Sequence, residues 1–225
     1  MSGLIVALDF STLEVAKGLA QRLTDTASGF KVGLELLTSA GARAVEEIAS
    51  LGKPVFADAK LHDIPNTVER AASNLASAGA RWLTVHSTGG ADMIEAARAG
   101  MGGEGVLGVT LLTSLTDSDL ETIGVTTGPS EHVAALARLA AGAGAEGLVC
   151  SPAELAAVSG LGLYTFTPGV RPAGSDEDDQ RRVATPEEAV KAGADYLVIG
   201  RPITRAEDPV AAAGKIAASI AGLRA

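Results

Sequence analysis

The sequence predicts a (β/α)8 barrel, a TIM barrel that forms a single domain over residues 1–225. Eight short apolar runs alternate with Ala-, Leu- and Glu-rich stretches that carry apolar residues at helical spacing. The runs are almost continuously apolar, which is typical of strands buried on both faces of a parallel sheet. Ala-Gly-Ala precedes a predicted strand at 78–80, 143–145 and 192–194, where glycine can end a helix. A doubly wound open sheet is the alternative, because sequence alone does not show closure.

The predicted strands are, in order, Leu4–Asp9, Phe30–Glu35, Pro54–Lys60, Arg81–His86, Val106–Leu112, Gly147–Ser151, Tyr164–Thr167 and Asp195–Gly200. In a barrel of this kind the carboxyl ends of the strands converge on one mouth, where active sites lie. Polar residues at those ends are therefore the candidates for function.

Composition limits the partners and the compartment of the protein. The balance of 18 Lys+Arg against 27 Asp+Glu gives a net charge of −9, which argues against nucleic acid or an anionic membrane as the main partner. A small anion stays possible if positive charge is concentrated at the site. The N-terminus has no basic region ahead of its apolar run, so we expect no secretion signal. Cys150 is the single cysteine, which excludes an internal disulfide and favours a cytoplasmic location.

Residues 58–67, Asp-Ala-Lys-Leu-His-Asp-Ile-Pro-Asn-Thr, carry the strongest functional signal. Asp58 and Lys60 are two apart on a strand and share one face, and a second carboxylate, Asp63, follows. Such an array can keep a lysine protonated and an aspartate ionised beside a charged substrate. A surface ion pair, worth about 0–1 kcal/mol, is the plainer interpretation. Asp63 and the helix start at Pro65 favour chemistry, and Lys31 would also find its partners in Asp58 and Asp63.

A second signal lies after the last two predicted strands. Residues 167–176 form a glycine- and proline-punctuated segment that runs on to Arg182, and strand eight ends in Gly200-Arg201-Pro202. In this fold the loops after strands seven and eight frequently bind phosphate. Arg201 would add a permanently charged, bidentate donor.

These motifs resemble those of the orotidine 5′-phosphate decarboxylase family, which performs the last step of de novo UMP synthesis. The matching pieces are Leu8-Asp9, Lys31-Val32-Gly33, residues 58–67, Thr167-Pro168-Gly169-Val170-Arg171, Asp179-Gln180-Arg181-Arg182 and Ile199-Gly200-Arg201-Pro202-Ile203. They occur in order over almost the whole chain, and none departs from the family pattern.

The resemblance implies a homodimeric barrel with shared active sites that converts orotidylate (OMP) to UMP and CO2, without a metal or an organic cofactor. Lys60 would then donate a proton to C6 of the pyrimidine, Asp58 would face the departing carboxylate, and Lys31 would complete the network and touch the ribose. The partner subunit's site would be reached by Asp63, Ile64 and Thr67, and a ribose hydroxyl would be bound by Asp9. The base and the phosphate would be contacted by Ser114 and Gln180. The phosphate end of the substrate would lie against Pro168, Gly200 and Arg201. His86 matches a family histidine near the site, without an assigned step.

Two other functions stay open. A magnesium-dependent decarboxylase of sugar phosphates, of the 3-keto-gulonate 6-phosphate type, shares the Asp-x-Lys-x-x-Asp motif. Enzymes that this alternative resembles carry an acidic residue where this chain has Lys31. A lysine at this position would remove a metal ligand. A catalytically silent nucleotide-binding barrel is the other, because fold and motif do not prove turnover. Cys150 is interpreted as a small core residue, since no histidine partner is evident.

Overall fold

The computed structural model describes residues 3–172 and 184–223. Eight parallel strands close into a barrel in sequence order, and β1 pairs with both β2 and β8. The strands are β1 Gly3–Ala7, β2 Gly29–Val32, β3 Val55–Leu61, β4 Ala80–His86, β5 Val106–Val109, β6 Gly147–Val149, β7 Tyr164–Thr167 and β8 Tyr196–Ile199. The predicted (β/α)8 barrel is confirmed, and the open-sheet alternative is wrong.

Helices cover the outside of the barrel. In the described ranges they are α1 Leu13–Leu23, α2 Leu34–Ala40, α3 Arg43–Ala49, α4 Pro65–Ser77, α5 Ala91–Gly100, α6 Asp117–Thr122, α7 Pro129–Gly142, α8 Leu155–Val158, α9 Pro186–Lys191, α10 Arg201–Thr204 and α11 Pro209–Ile220. No helix within residues 3–172 and 184–223 is both long and apolar enough to cross a bilayer.

Side-chain alternation along the strands divides the apolar residues into two cores. The larger core lies between the strands and the helices and includes Val55 and Ala57 of β3. The smaller one fills the barrel and consists of Ile5, Ala7, Phe56, Trp82, Leu107, Phe166 and Val198. Because Phe56 faces the inside, the alternation turns Asp58 inward as well. The barrel thus carries a charged side chain into its own interior just above an apolar floor.

The second predicted strand is too long. The sequence predicts strand as far as Glu35, but β2 ends at Val32 and α2 begins at Leu34. The run Leu34-Glu35-Leu36-Leu37 is apolar enough for either element. Leu36 is fully buried while Leu34 is 52% exposed, so this turn packs as the start of a helix. The fifth strand is also shorter than predicted and ends at Val109.

A carboxylate and an aromatic cluster close the amino-terminal end of the barrel. The Glu146 carboxylate accepts hydrogen bonds from both terminal nitrogens of Arg81 at 2.8 and 3.1 Å, from Trp82 Nε1 at 3.0 Å and from the Gly105 N–H at 2.9 Å. The Trp82 ring packs edge-on against Phe166 with centroids 5.0 Å apart. One acidic side chain therefore ties β4, β5 and the segment before β6 together at the floor.

We expect Glu146→Ala to lower the free energy of unfolding by about 2–4 kcal/mol, because it removes the ion pair with Arg81 and leaves the Trp82 indole N–H and the Gly105 backbone N–H without their acceptor. Urea unfolding followed by circular dichroism measures the change. Glu104→Ala removes an exposed carboxylate two residues before Val106 and should change stability by no more than about 0.5 kcal/mol. Equal stability of the two variants would contradict the role of Glu146.

Candidate active site

A cavity of about 250 Å³ opens at the carboxyl ends of the strands. Its wall comes from seven of the eight strands or the segments directly after them. The lining residues are Ala7, Asp9, Lys31, Phe56, Asp58, Lys60, Val109, Leu111, Leu112, Thr113, Val149, Cys150, Pro168, Val170, Arg171, Val198, Gly200, Arg201 and Pro202. The cavity is apolar on the side of β5 and β6 and charged on the side of β1 to β3. An occupant with one flat apolar part and anionic groups would match both sides.

Four charged side chains form an alternating array on one wall. Lys60 Nζ lies 2.7 Å from both carboxylate oxygens of Asp58. Lys31 Nζ lies 2.9 Å from Asp9 Oδ1 and 3.4 Å from Asp58 Oδ2. The order Asp9, Lys31, Asp58, Lys60 therefore alternates in sign, and each inner member has an opposite charge on either side.

The array holds its buried members in their charged forms. Burial alone would lower the pKa of Lys31, but the Asp58 and Asp9 carboxylates outweigh it and raise that pKa above the ordinary lysine value. Burial would likewise raise the pKa of Asp58, but the ammonium groups of Lys31 and Lys60 hold it below the ordinary value. The stabilising contribution of Asp58 is therefore present above the pKa of an unfolded aspartate, and it is lost as the pH falls through the lowered value.

The strand β3 is irregular around Lys60. Ala57 pairs with Leu83 and Leu61 pairs with Val85, so β3 advances four residues while β4 advances two. Lys60 has φ 47°, and it is the one non-glycine residue with positive φ in the described ranges. This left-handed backbone departs from a regular strand, and the bulge coincides with the residue whose ammonium contacts the Asp58 carboxylate.

Most of the predicted site residues come together in the cavity. Its wall contains Asp9, Lys31, Asp58, Lys60, Pro168, Gly200 and Arg201. The expected partners of Lys31 need one correction: Asp58 is one of them, but the other is Asp9 and not Asp63. The reason is the pairing of β1 with β2, which sets Ala7 opposite Lys31, so that the residues just beyond β1 reach the lysine.

The other predicted site residues lie elsewhere in the chain. Asp63, Ile64 and Thr67 are exposed on the segment that leads into α4 and on its first turn, and Asp63 Oδ1 accepts the Ile64 N–H at 2.6 Å. Ser114 is exposed after β5, and its neighbour Thr113 lines the cavity instead. Gln180 lies outside the described residues. The roles of these five residues, like those of the seven that line the cavity, stay predictions.

Three residues at the site had no role in the sequence-based prediction. Arg171 lines the cavity, and its place two residues after Gly169 in a glycine- and proline-rich segment was the signal that could have found it. Thr84 contacts the charge array from below and is hidden in the apolar run of β4. Cys150 lines the wall at 1% exposure. Burial, then Glu154 and Asp195, raise the pKa of its thiol to about 12, which agrees with a core residue.

The fold and the site define a (β/α)8 barrel with a charged cavity at its mouth, the place where the active sites of such enzymes lie. The chain belongs to the orotidine 5′-phosphate decarboxylase / HUMPS family, whose model matches residues 2–216. It is 54% identical to orotidine 5′-phosphate decarboxylase from Anaeromyxobacter sp. (strain K), over 95% of this chain and 96% of that protein. The same-named protein of Halorhodospira halophila is 50% identical over 97% of this chain and 95% of its own length.

The solved structures agree with the family. The crystal structure of orotidine 5′-phosphate decarboxylase from Lactobacillus acidophilus matches with a TM-score of 0.84 and 34% identity, over 99% of this chain and 100% of that one. The resemblance seen in the motifs is confirmed, and so is the expectation that the chain is an enzyme of this family.

Gly33 provides a test of how tightly the array is packed. A Cβ at this position would lie 2.6 Å from both Asp9 Oδ1 and Lys31 Nζ, the two atoms of one ion pair. We expect Gly33→Ala to push the pair apart and to lower the free energy of unfolding by about 1–3 kcal/mol, measured by urea unfolding. Gly18→Ala is the matched control, because nothing lies within 4 Å of its Cβ in α1, and it should stabilise by up to about 1 kcal/mol. A Gly33→Ala protein as stable as the wild type would show that the pair yields without cost.

Proposed function

We propose that this chain is an orotidine 5′-phosphate decarboxylase that converts OMP to UMP and CO2 in de novo pyrimidine biosynthesis, with Lys60 as the proton donor and without a metal or an organic cofactor. The observation that carries the proposal is the Lys60 ammonium held 2.7 Å from both oxygens of buried Asp58, at the wall of the cavity. The names of the relatives at 50–54% identity support the substrate.

The chemistry explains why a lysine is needed there. When the bond between C6 and the carboxylate carbon of OMP breaks, its electron pair stays on C6 in the plane of the ring, where the π system does not stabilise it. A positioned cation must therefore offset the charge. The Lys60 ammonium supplies that cation and then transfers a proton to C6, which leaves a neutral amine that water reprotonates. CO2 and UMP are the products.

Repulsion between Asp58 and the substrate carboxylate would also accelerate decarboxylation, but the size of this contribution is limited. Two like charges about 4 Å apart, at an effective dielectric near 20, repel by on the order of 4 kcal/mol. Very large enzymatic accelerations correspond to roughly 20 kcal/mol or more. We therefore assign most of the barrier reduction to stabilisation of the developing charge by Lys60, with Asp58 mainly holding Lys60 in place.

The remaining groups account for the rest of the substrate. Arg201 and Gly200, after β8, would hold the phosphate together with Pro168 at the end of β7, and Arg171 brings a second guanidinium to the same wall. Asp9 and Lys31 would contact the ribose, and the resemblance adds Ser114 and Gln180 to the base and phosphate. Binding energy gained at the remote phosphate can be used at C6, so the phosphate should matter for turnover as well as for affinity.

A shared active site is also part of the proposal. Asp63, Ile64 and Thr67 are exposed and stand outside the cavity of their own chain, and the Ile64 side chain is 66% exposed. An exposed large apolar side chain beside a carboxylate suits a subunit contact. We propose that two copies form a homodimer in which these three residues complete the partner's site, and that this single-domain enzyme works in the cytoplasm.

The donor set does not suit the magnesium-dependent alternative. A metal bound between Asp9 and Asp58 would need the place that the Lys31 ammonium takes, 2.9 Å from one carboxylate and 3.4 Å from the other. The Lys31 ammonium already lies against both acids, and a divalent ion beside it would be repelled.

Purified protein should convert OMP to UMP at full rate in excess EDTA, measured by the loss of OMP absorbance and by chromatography of UMP. Lys60→Ala should lower kcat/KM by at least about 10⁴-fold, because charge stabilisation and proton donation are lost together. Lys191→Ala, which removes an exposed lysine at the end of α9, is the control and should keep full turnover. Dependence on added Mg²⁺ would favour the sugar-phosphate alternative, and no turnover at all would favour the silent barrel.

Co-expression of Asp63→Ala and Lys60→Ala subunits tests the shared site. Each inactive homodimer lacks a residue at both sites, but a heterodimer would place both defects in one site and leave the other intact. Random pairing should therefore restore about one quarter of wild-type activity. Asp58→Ala with Lys60→Ala is the control, since both residues belong to the same half-site and every heterodimer stays inactive. If the Asp63→Ala mixture regains nothing, Asp63 does not act across a subunit boundary.

A further inference from the structure

Thr84 lies beneath the charge array and belongs to none of the roles assigned above. It is fully buried in β4, between the outward-facing residues Leu83 and Val85. Its hydroxyl donates a hydrogen bond to Asp58 Oδ1 at 2.9 Å and accepts one from the Lys60 backbone N–H at 2.9 Å. A single hydroxyl thus joins the carboxylate of one residue to the backbone of the other.

These two bonds act on the two groups that set the position of the Lys60 ammonium. The first is the left-handed backbone of Lys60, where β3 and β4 are out of register. The second is the orientation of the Asp58 carboxylate, whose Oδ2 receives Lys60 Nζ at 2.7 Å and Lys31 Nζ at 3.4 Å. Asp58 Oδ1 receives Lys60 Nζ at 2.7 Å as well, and Thr84 adds a second donor to this oxygen. Buried donors and acceptors of this kind are rarely left unmade.

We propose that Thr84 is a positioning residue for the reaction: its hydroxyl fixes the bulged backbone of Lys60 and the carboxylate of Asp58 together, and so sets where the ammonium stands. Its kinetic consequence rests on the proposed function of Lys60 as proton donor. Thr84 is fully buried and is not among the residues that line the cavity, so it acts on the rate only through Asp58 and Lys60.

The chain offers a matched control at the other end of the barrel. The Thr165 hydroxyl, near the start of β7, accepts a hydrogen bond from the Asp195 backbone N–H at 2.9 Å and donates to Asp195 Oδ2 at 3.0 Å. It therefore joins a backbone N–H to a carboxylate, as Thr84 does, and it is also buried. Thr165→Val removes the same kind of contact without touching the charge array.

The first experiment needs no substrate. Amide hydrogen exchange measured by NMR on the intact protein should show the Lys60 N–H exchanging about tenfold faster or more in Thr84→Val, with the Asp195 N–H unchanged. Thr165→Val should show the reverse, and Thr84→Ser should keep the wild-type exchange at Lys60. An unchanged Lys60 amide in Thr84→Val would overturn the proposal.

The second experiment measures decarboxylation of OMP. Thr84→Val should lower kcat roughly 10- to 100-fold, while KM and the Kd for UMP stay within about threefold of wild type. Thr84→Ser should restore kcat to within about threefold, and Thr165→Val should leave kcat unchanged. Equal values of kcat in Thr84→Val and wild type, equal losses in the serine and valine variants, or an equal loss in Thr165→Val would each overturn the proposal.

Two outcomes need a separate comparison: a Thr84→Val protein that does not fold, and a wild-type protein without activity on OMP. If Thr84→Val does not fold, Thr84→Ser and Thr84→Ala replace it. Both variants lack the methyl group of Thr84, and Thr84→Ser keeps the hydroxyl. Equal kcat in these two variants would overturn the proposal. A wild-type protein that does not turn over OMP would refute the proposed function instead, and the exchange rates would still show whether Thr84 holds the Lys60 backbone.

Discussion

The rest of the site depends on one buried carboxylate between two ammonium groups. Asp58 is 7% exposed, and ionised groups are costly to bury unless opposite charges and hydrogen bonds compensate. Lys31 and Lys60 supply those charges, and Asp9 in turn balances Lys31. Removing one partner from such a buried set typically costs about 3–5 kcal/mol. The array is therefore a constraint on the fold as well as the setting of the proposed proton donor, because β1, β2 and β3 must end side by side for it to exist.

The barrel meets that constraint with ordinary strand geometry at Lys31 and Asp58 and departs from it at Lys60. The pairing of β1 with β2 sets Asp9 beside Lys31, and strand alternation sets Asp58 inward above Phe56. Lys60 alone needs a left-handed backbone, which costs an L-residue roughly 1–2 kcal/mol. Strain of this size persists where the surrounding contacts determine it, and it concentrates at functional sites. The two bonds from Thr84 and the double contact with Asp58 are the contacts that can hold it.

The sequence predicted the barrel because near-continuous apolar runs and helical periodicity are local signals, and it predicted Asp58 and Lys60 because alternation is local too. The shorter β2 was missed because Leu34 to Leu37 fit either element. The pairing of Lys31 with Asp9 depends on the register between β1 and β2, which local patterns do not contain. The bulge at Lys60 contradicts the backbone preference of lysine, so propensity could not indicate it. Thr84 lacked any signal, since a threonine in an apolar run is ordinary strand composition.

The net charge of the protein has the same sign as that of the anionic ligand proposed for its cavity. The chain carries a net charge of −9, yet four cationic side chains and two acidic ones line the cavity, a formal excess of two positive charges. At physiological ionic strength charges more than about 8–10 Å apart in solvent are largely screened, so the distant acidic surface counts for little at the mouth. Inside the cleft the screening is weaker, and the arginines and lysines determine the potential there. Positive charge is therefore needed only where an anion is held, and the acidic surface is free to serve solubility without opposing the active site.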